Sequence, residues 1–316
     1  MNRRPRVAVA VATYRRPEML AALLQSLAEQ DTTEPFEVIV VDNDPDASAL
    51  PMVRRRADTL PFRVLALHEP EPGISAARNR AIDAALEHDF IAFIDDDEVA
   101  DPLWLSTLLA VQRNRAVSGV SGPVRYHYGT PPPSWALLGG FYMEPGFRDG
   151  DVIPMAGTNN LLLDLHALRE RGLRFEPTFG LIGGSDIVLT RALTDSGAVL
   201  VWADDAVVQE DVPPERCTAR WAVRRAVRTG NSYGLMHLHR VSQHARTRRA
   251  AVRGMLLVTG TARILVGAAQ LAVHPRISVD AVGAGAFRTL LRGVGVLGAA
   301  VGLRVAEYAR TRAADA

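Results

Sequence analysis

Residues 90–98 read Phe-Ile-Ala-Phe-Ile-Asp-Asp-Asp-Glu. Four of the five residues ahead of the Asp triplet are bulky and apolar, a pattern suited to a buried strand. A strand that ends in carboxylates delivers them to the edge of a sheet, where open α/β folds bind ligands. Side chains alternate along extended backbone, so Asp95 and Asp97 can face one way and Asp96 the other. Two carboxylates on one side make a hard-oxygen site for Mg²⁺ or Mn²⁺, and such a metal usually holds substrate phosphates too. An isolated triplet is equally a solvated acidic loop, or a set of N-caps for the helix starting near Pro102.

The chain before the triplet supplies context. Val7–Ala12 is a short valine-rich run of buried-strand type, ended by Thr13-Tyr14-Arg15-Arg16. Pro17 opens a helix with Met19, Leu20, Leu23, Leu24 and Leu27 at helical spacing. Phe36–Val41 reads as a second strand and ends in the turn chemistry of Asp42-Asn43-Asp44-Pro45. Arg63–Leu67 is a third, and a helix over Ala76–Glu87 follows with Ser75 as a candidate cap. Strands alternating with helices predict a doubly wound, mostly parallel sheet with flanking helices. Thr13, Asp42 and Asp95 then gather on its carboxyl edge. Taken singly, Asp42 and Asp44 read as an Asx turn, and the Gly73–Asn79 turn is a weak phosphate-binding signal. No Gly-x-Gly-x-x-Gly follows the first strand and the chain has no lysine, which counts against a dinucleotide fold and a phosphate-loop NTPase.

Charge divides the chain. Residues 1–240 hold 25 arginines and 32 acidic residues, and residues 241–316 hold 11 arginines and 3 acidic ones, so net charges of −7 and +8 underlie the overall +1. An acidic body with a basic tail is not the pattern of a nucleic-acid binder. A single cysteine, Cys217, excludes an internal disulfide and a Cys-based zinc site. We therefore expect a body over 1–240 and a separate tail over 241–316. No signal-peptide cleavage pattern follows the N-terminal arginines, which predicts a cytoplasmic location or the cytoplasmic face of the membrane.

Further along, residues 118–154 are rich in Gly, Pro and aromatics, including Tyr126, Trp135, Phe141 and Tyr142. The segment reads as a long loop, either a lid whose rings stack on sugars or a stretch packed onto the body. Gly157-Thr158-Asn159-Asn160 leads into a strand over Leu161–Leu163. Gly183-Gly184-Ser185-Asp186 opens a helix, with Asp186 either a functional carboxylate beside a close backbone approach or a helix cap. Short strands follow at Val199–Ala203 and Ala206–Val208, then a helix carrying Arg220, Trp221, Arg224, Arg225 and Arg228. Those arginines make either a cationic stripe for a phosphate or lipid head group, or a solvated face.

Together these stretches resemble the inverting glycosyltransferases of family two, which use the GT-A fold. The resemblance spans about residues 5–235 and rests on Val-Ala-Thr-Tyr-Arg-Arg-Pro (11–17), Val-Ile-Val-Val-Asp-Asn-Asp (38–44), Gly-Ile-Ser-Ala-Ala-Arg-Asn (73–79), Phe-Ile-Asp-Asp-Asp (93–97) and Gly-Gly-Ser-Asp (183–186). Within the family it is most similar to the succinoglycan-type exopolysaccharide transferases, including Glu-Asp-Val-Pro-Pro-Glu-Arg (210–216). The resemblance implies a donor site for a nucleotide-diphosphate sugar formed by Thr13, Tyr14, Arg15, Asp42, Asn43, Asp44, Gly73, Arg78, Asn79, Asp95 and Asp96. It implies Asp186 as the catalytic base, and Asp97 with Asp95 as ligands of Mg²⁺ or Mn²⁺. Many relatives carry a histidine ligand after the final strand, where this chain has Gln209-Glu210, so Glu210 is its substitute. Trp135, Gly184, Arg220 and Trp221 are candidates for the acceptor. The Gln-x-x-Arg-Trp motif of processive members is represented only by Cys217-Thr-Ala-Arg220-Trp221, which implies transfer of a single sugar to a lipid-linked or glycan acceptor.

The tail holds two largely apolar stretches, 251–273 and 281–303, each near the ~20 residues that cross a bilayer. Arg253 and Arg263 interrupt the first and Arg288 and Arg292 the second, at about 2.5–3.5 kcal/mol each for mid-span insertion. The expectation is a helical hairpin lying on the inner membrane surface, against the alternative of a soluble hairpin or a dimer contact. Two other functions compete with a sugar transferase. A nucleotidyltransferase needs a Gly-rich basic loop after its first strand, and Thr13–Pro17 lacks glycine. A non-catalytic nucleotide-sugar binder or assembly subunit has no need of Asp186.

Overall fold

The structure, a computed structural model, describes residues 4–142, 146–241 and 245–305; of the expected tail, residues 242–244 and 306–316 lie outside that range. Its elements run β1 (Val7–Thr13), α1 (Pro17–Ala28), β2 (Phe36–Asp42), α2 (Leu50–Ala57), β3 (Arg63–His68), α3 (Ile74–Ala84), β4 (Phe90–Ile94), β5 (Glu98–Ala100), α4 (Trp104–Arg115), β6 (Gly119–Ser121), β7 (Val124–Tyr128), α5 (Ser134–Leu138), β8 (Val152–Ile153), β9 (Asn160–Asp164), α6 (Leu165–Glu170), α7 (Ser185–Asp195), β10 (Leu200–Trp202), β11 (Val208–Val212), α8 (Ala219–His239), α9 (Arg246–Val273) and α10 (Ala281–Ala300). Contacts divide them into two compact units, Met1–His127 with Gly146–Asp211, and Tyr128–Pro145 with Val212–Ala316.

The first unit is built on an eight-stranded sheet in the order β3-β2-β1-β4-β9-β6-β10-β8. The pairs β1–β2, β2–β3, β1–β4 and β6–β10 are parallel, while β9 runs antiparallel between β4 and β6. The mostly parallel sheet with flanking helices is the expected class. Alternation along β1 explains its two layers. Val7, Val9 and Val11 pack with Leu20, Leu23, Leu24 and Leu27 of α1 on one face. Ala8 and Ala10 pack with Ala77, Ala81 and Ile82 of α3 on the other. A sheet buried on both faces reads as continuous apolar runs, as these strands do.

Residues 118–154 are not the structureless loop expected from their Gly, Pro and aromatic content. They carry β6, β7, α5 and β8. Gly119 shows why the strand was masked: a Cβ there would lie 2.5 Å from Leu200 Cδ2 and 2.9 Å from the Leu162 carbonyl oxygen, so a residue of low strand propensity is the one that fits. The last expected strand is also displaced, from Ala206–Val208 to Val208–Val212. There it pairs antiparallel with β5, within a three-stranded sheet ordered β5-β11-β7.

The second unit contains α5, α8, α9 and α10. The expected hairpin is present as the paired helices α9 and α10. Glycines let these helices touch backbone to backbone. Gly230 of α8 meets the Arg292 carbonyl, Gly295 of α10 meets that of Val227, and Gly260 and Gly293 face each other across α9 and α10.

Candidate active site at the carboxyl edge of the sheet

Three strands of the first unit end side by side. Thr13 pairs with Asp42 in the register of β1 and β2, and β4 on the other side of β1 runs into Asp95, Asp96 and Asp97. The triplet lies past the end of β4 and enters a turn, so the extended alternation expected of it does not hold, and Asp96 and Asp97 share one arginine. Asp96 turns inward and its Oδ2 accepts a 2.7 Å hydrogen bond from Thr13 Oγ1. Asp95 and Asp97 engage different cations. Arg78 Nη2 donates to Asp95 Oδ1 at 3.1 Å, and Arg16 Nη1 donates to Asp97 Oδ2 at 2.8 Å and to Asp96 Oδ1 at 3.0 Å. Asp95 keeps 39% of its side chain exposed, so the cluster opens to solvent through it.

The carboxylates perturb one another. Burial raises the Asp95 carboxyl above its ordinary range; Arg78 pulls it down, and Asp97 and Asp186 push it back up. Burial pushes Asp96 up to about 6 against the pull of Arg16. Beneath the triplet, Glu98 is fully buried, and its Oε2 accepts from the Asp95 backbone N–H at 2.9 Å. Burial, then the nearby charge of Asp95, holds Glu98 well above the usual carboxylate range.

Asp186 reaches this edge on its own device. Gly183 and Gly184 have φ of 86° and 90°, which only glycine adopts at little cost. Gly184 is the cap of α7, so Asp186 stands in the first helical turn and is not the cap. One Asp186 oxygen accepts from the Ile187 N–H at 2.8 Å, and the other lies 3.5 Å from where a Gly157 Cβ would sit. Thr158, the next residue, shares a small pocket with Ala12, Arg78 and Asp95. The hydroxyls of Thr158 and Ser185 are fully buried without a hydrogen-bond partner. Gly73, at φ 123°, allows the Gly180 loop to approach, and Ile74 N–H donates to the Gly180 carbonyl at 3.0 Å.

The other expected donor residues build the walls. Both Asp42 oxygens accept backbone N–H groups of their own loop, from Asp44 at 2.9 Å and Ala49 at 2.7 Å. Asn43 donates to the carbonyls of Glu69 and Glu71 and accepts from Gly73 N–H. Arg15, in the left-handed region at φ 56°, donates to Asp44 at 3.0 Å and lies 5.3 Å from the Tyr14 ring centre. Asn79 clamps Phe175, donating to its carbonyl and accepting from its N–H. Glu210 stands opposite Glu98 across β5 and β11.

Asp95 and Asp97 fit the hard-oxygen donor set of a divalent cation, which typically takes one or two carboxylates and completes its shell with substrate phosphates and water. Burial first, and the charges of Asp97 and Asp186 after it, raise the Asp95 carboxyl, and a bound cation would offset both. Among the described residues no group of three or more His, Cys, Asp or Glu side chains is spaced to hold an ion by itself.

Of the acceptor candidates, Trp135, Arg220 and Trp221 belong to the second unit. Trp135 packs edge-on to Phe141 and Phe287 at 5.0 and 5.7 Å, and Trp221 stacks on Tyr142 at 5.3 Å. Arg220 is exposed on the first turn of α8. Three residues escaped the sequence reading. Arg16 follows Arg15 directly, Glu98 follows the triplet, and Asn160 ties α4 to two loops by accepting from Trp104 Nε1 and donating to the Pro123 and Ala206 carbonyls. Adjacency was the available signal for the first two.

Residues 8–172 match the family described as "Glycosyl transferase family 2". The chain is 37% identical over 229 residues to the succinoglycan biosynthesis protein ExoM of Rhizobium meliloti (strain 1021), covering 72% of this chain and 73% of that protein. It is 32% identical over 120 residues to a hyaluronan synthase of Pasteurella multocida, which is 38% of this chain and 12% of that one. Among solved structures it superposes on the mannosyltransferase PcManGT of Pyrobaculum calidifontis, in complex with GDP-Man and Mn²⁺, with a TM-score of 0.61 at 21% identity over 95% of this chain and 86% of that one. It matches S. aureus TarS with a TM-score of 0.53 at 18% identity over 78% of this chain and 42% of that one. At those identities the structural likeness is one of fold.

Proposed function

Because the chain belongs to glycosyl transferase family 2, we propose that it is a metal-dependent, inverting transferase that moves one sugar from a nucleotide-diphosphate sugar to a lipid-linked or polysaccharide acceptor during synthesis of a cell-surface glycan. The observation that carries this reading is the meeting of Asp95, Asp97 and Asp186 with Arg16 and Arg78 at one strand edge. The name of the Rhizobium relative supports an exopolysaccharide product. The ligands of the mannosyltransferase support a nucleotide-sugar donor and a divalent cation.

Each residue has a task in this reading. Thr13, Tyr14, Arg15 and the loop stapled by Asp42, Asn43 and Asp44 line the nucleotide. A carboxylate offers about four lone pairs, so Asp42 keeps acceptor capacity beyond the two N–H groups it holds. Gly73, Arg78 and Asn79 shape the far wall, and Asp96 orients the triplet through Thr13. Asp95 and Asp97 would hold the cation together with the donor's phosphates, since the described residues, Glu210 included, offer no third side chain spaced for it. A bound divalent ion stabilises the negative charge that grows on the departing diphosphate. Arg16 and Arg78 add fixed positive charge at the same place. Asp186 takes the proton of the attacking hydroxyl as general base. Attack opposite the leaving group in one displacement inverts the anomeric centre. Within the first unit, Gly184 contacts the acceptor beside Asp186.

The tail anchors the enzyme to the inner membrane surface. Helix α9 is the one helix among the described residues long and apolar enough to cross a bilayer. Val258, Leu265 and Val273 are 71%, 64% and 75% exposed on it, and Arg246, Arg248, Arg249 and Arg253 crowd its N-terminal end. Apolar residues beside a basic end suit a helix lying in an anionic interface, and Arg263 at mid-span disfavours crossing.

The decisive experiment is calorimetry with UDP, GDP and dTDP, with and without Mn²⁺, on the wild type and Asp97→Ala. One nucleotide binds in a metal-dependent manner, and the variant loses it. Binding that is indifferent to Mn²⁺ and to Asp97 overturns the reading.

A further inference from the structure

The second unit carries an imbalance that the transferase reading leaves unused. Its described residues include fifteen arginines, and the only acidic side chains among them are Glu215 and Asp280. Asp280 is engaged, accepting from His274 Nδ1 at 2.7 Å and from the Val282 N–H at 2.9 Å. Four of the arginines stand around the contacts of α8, α9 and α10. Arg288 and Arg292 lie one turn apart on α10, which puts them on one face. The Arg292 backbone abuts Gly230 of α8, and Gly293 beside it touches Arg263 of α9. Arg288 donates to the Gly140 carbonyl after α5.

Among the described residues, no carboxylate holds any of the four. Arg225 lies over the Trp221 ring at 4.9 Å and Arg263 over the Tyr233 ring at 5.0 Å. Arg292 has its Nε buried without an acceptor. Burial, then the like charges of Arg288, Arg263 and Arg225, lowers its guanidinium to about 10. Half-buried arginines normally find a partner, because desolvating an unpaired charge is costly. An aromatic wall of Trp135, Phe141, Trp221 and Phe287 lies in the same cluster of packed side chains.

We propose that Arg288 and Arg292, with Arg225 and Arg263 on either side, form a binding site for a phosphate or diphosphate group, built into the helical unit. Guanidinium forks match phosphate oxygens in geometry and charge. The bound anion supplies the counter-charge the helices lack, and the adjoining rings accommodate whatever apolar or sugar group the phosphate carries. The site stands independently of the transferase reading, since it binds its ligand without the triplet, without metal and without turnover.

The test uses the full chain and inorganic diphosphate, titrated by calorimetry in EDTA, for the wild type, Asp97→Ala and Arg292→Met. Wild type and Asp97→Ala bind alike, and Arg292→Met binds about tenfold more weakly or worse, as loss of a charge-assisted hydrogen bond implies. Diphosphate raises the melting temperature of the wild type but not of Arg292→Met. In phosphate-free buffer Arg292→Met melts above the wild type, because it removes an uncompensated charge. No binding to the wild type overturns the site, as does binding that survives in Arg292→Met or disappears in Asp97→Ala. Should Arg292→Met melt below the wild type, Arg225→Gln decides, and undiminished diphosphate binding there overturns the site. Flotation identifies the source of the phosphate. A preference for phosphatidylcholine vesicles containing phosphatidic acid over those containing phosphatidylglycerol, lost in Arg292→Met, assigns it to a lipid head group. Diphosphate binding without such a preference assigns it to a soluble phosphate ester.

Discussion

The two units use arginine in opposite ways. At the sheet edge, Arg16 and Arg78 sit on Asp96, Asp97 and Asp95 at 2.8–3.1 Å, so each cation has a carboxylate and the carboxylates outnumber the cations. In the helical unit, Arg225 and Arg263 lie on aromatic rings, and among the described residues Arg292 has only like charges around it. The first arrangement is paired and poised for chemistry: acids, bases and cations are present together. The second is unbalanced and has no acid or base to offer, so its chemistry is confined to holding an anion. Paired and unpaired charge, more than fold, is what separates a reacting site from a binding one in this chain.

The comparison breaks most readily at Asp186. If the paired edge is the reacting centre, Asp186→Asn lowers kcat by about 10²–10⁴, the usual contribution of a general base, and leaves nucleotide affinity unchanged. Steady-state kinetics together with nucleotide calorimetry test this, and a kcat within a factor of a few of wild type would remove Asp186 from the mechanism. Arg16 sharpens the contrast. Arg16→Ala strips the counter-charge from Asp96 and Asp97, so it weakens donor binding by about 10–100-fold and lowers the melting temperature, with partial recovery in Arg16→Lys. Removing an arginine thus destabilises the first unit, where Arg292→Met stabilises the second. Equal signs in the two melting curves would erase the distinction drawn above.

A third effect is set by backbone. Gly73 has φ 123°, and a Cβ there would lie 3.1–3.2 Å from the Gly180 backbone. Gly73→Ala therefore costs about 1–3 kcal/mol of stability, read in urea denaturation, and displaces the loop that leads to Asp186. An unchanged midpoint would mean that the turn relaxes and does not tie the edge together.

The sequence made the sheet edge legible because its signals are local. Buried strands end in polar residues, and Asp95–Asp97 and Gly183–Asp186 each fall in one short run. Strands of the kind found at Gly119–Ser121 were not legible. Their character comes from what they pack against, here Leu200 and Leu163, and a glycine declares nothing of that in advance. Arg16 was missed for a related reason. Arg15 and Arg16 are equivalent in sequence, and only the left-handed turn at Arg15 sends one to Asp44 and the other to the triplet. The arginine stripe on α8 was visible, but its meeting with Arg263, Arg288 and Arg292 depends on three helices crossing at glycines.

The smallest expected effect asks whether the first unit also contains a place where charge is simply avoided. His88 is nearly buried, its Nδ1 has no partner, and its Nε2 lies 3.6 Å from Glu37. Burial holds the ring below the ordinary histidine value despite the pull of Glu37 and Asp89, with Arg6 adding to the depression. The folded state therefore takes up this proton less readily than the unfolded chain. Stability from this group is complete above the ordinary value near 6.5 and is lost as the pH falls below it, toward the lowered folded value. Melting temperatures measured at neutral and mildly acidic pH should diverge less in His88→Gln than in the wild type, by about 2 °C or less for a unit of this size. If the two proteins instead lose stability in parallel, Glu37 keeps His88 charged. The first unit would then pair every charge it buries here, and the contrast with Arg292 would be sharper still.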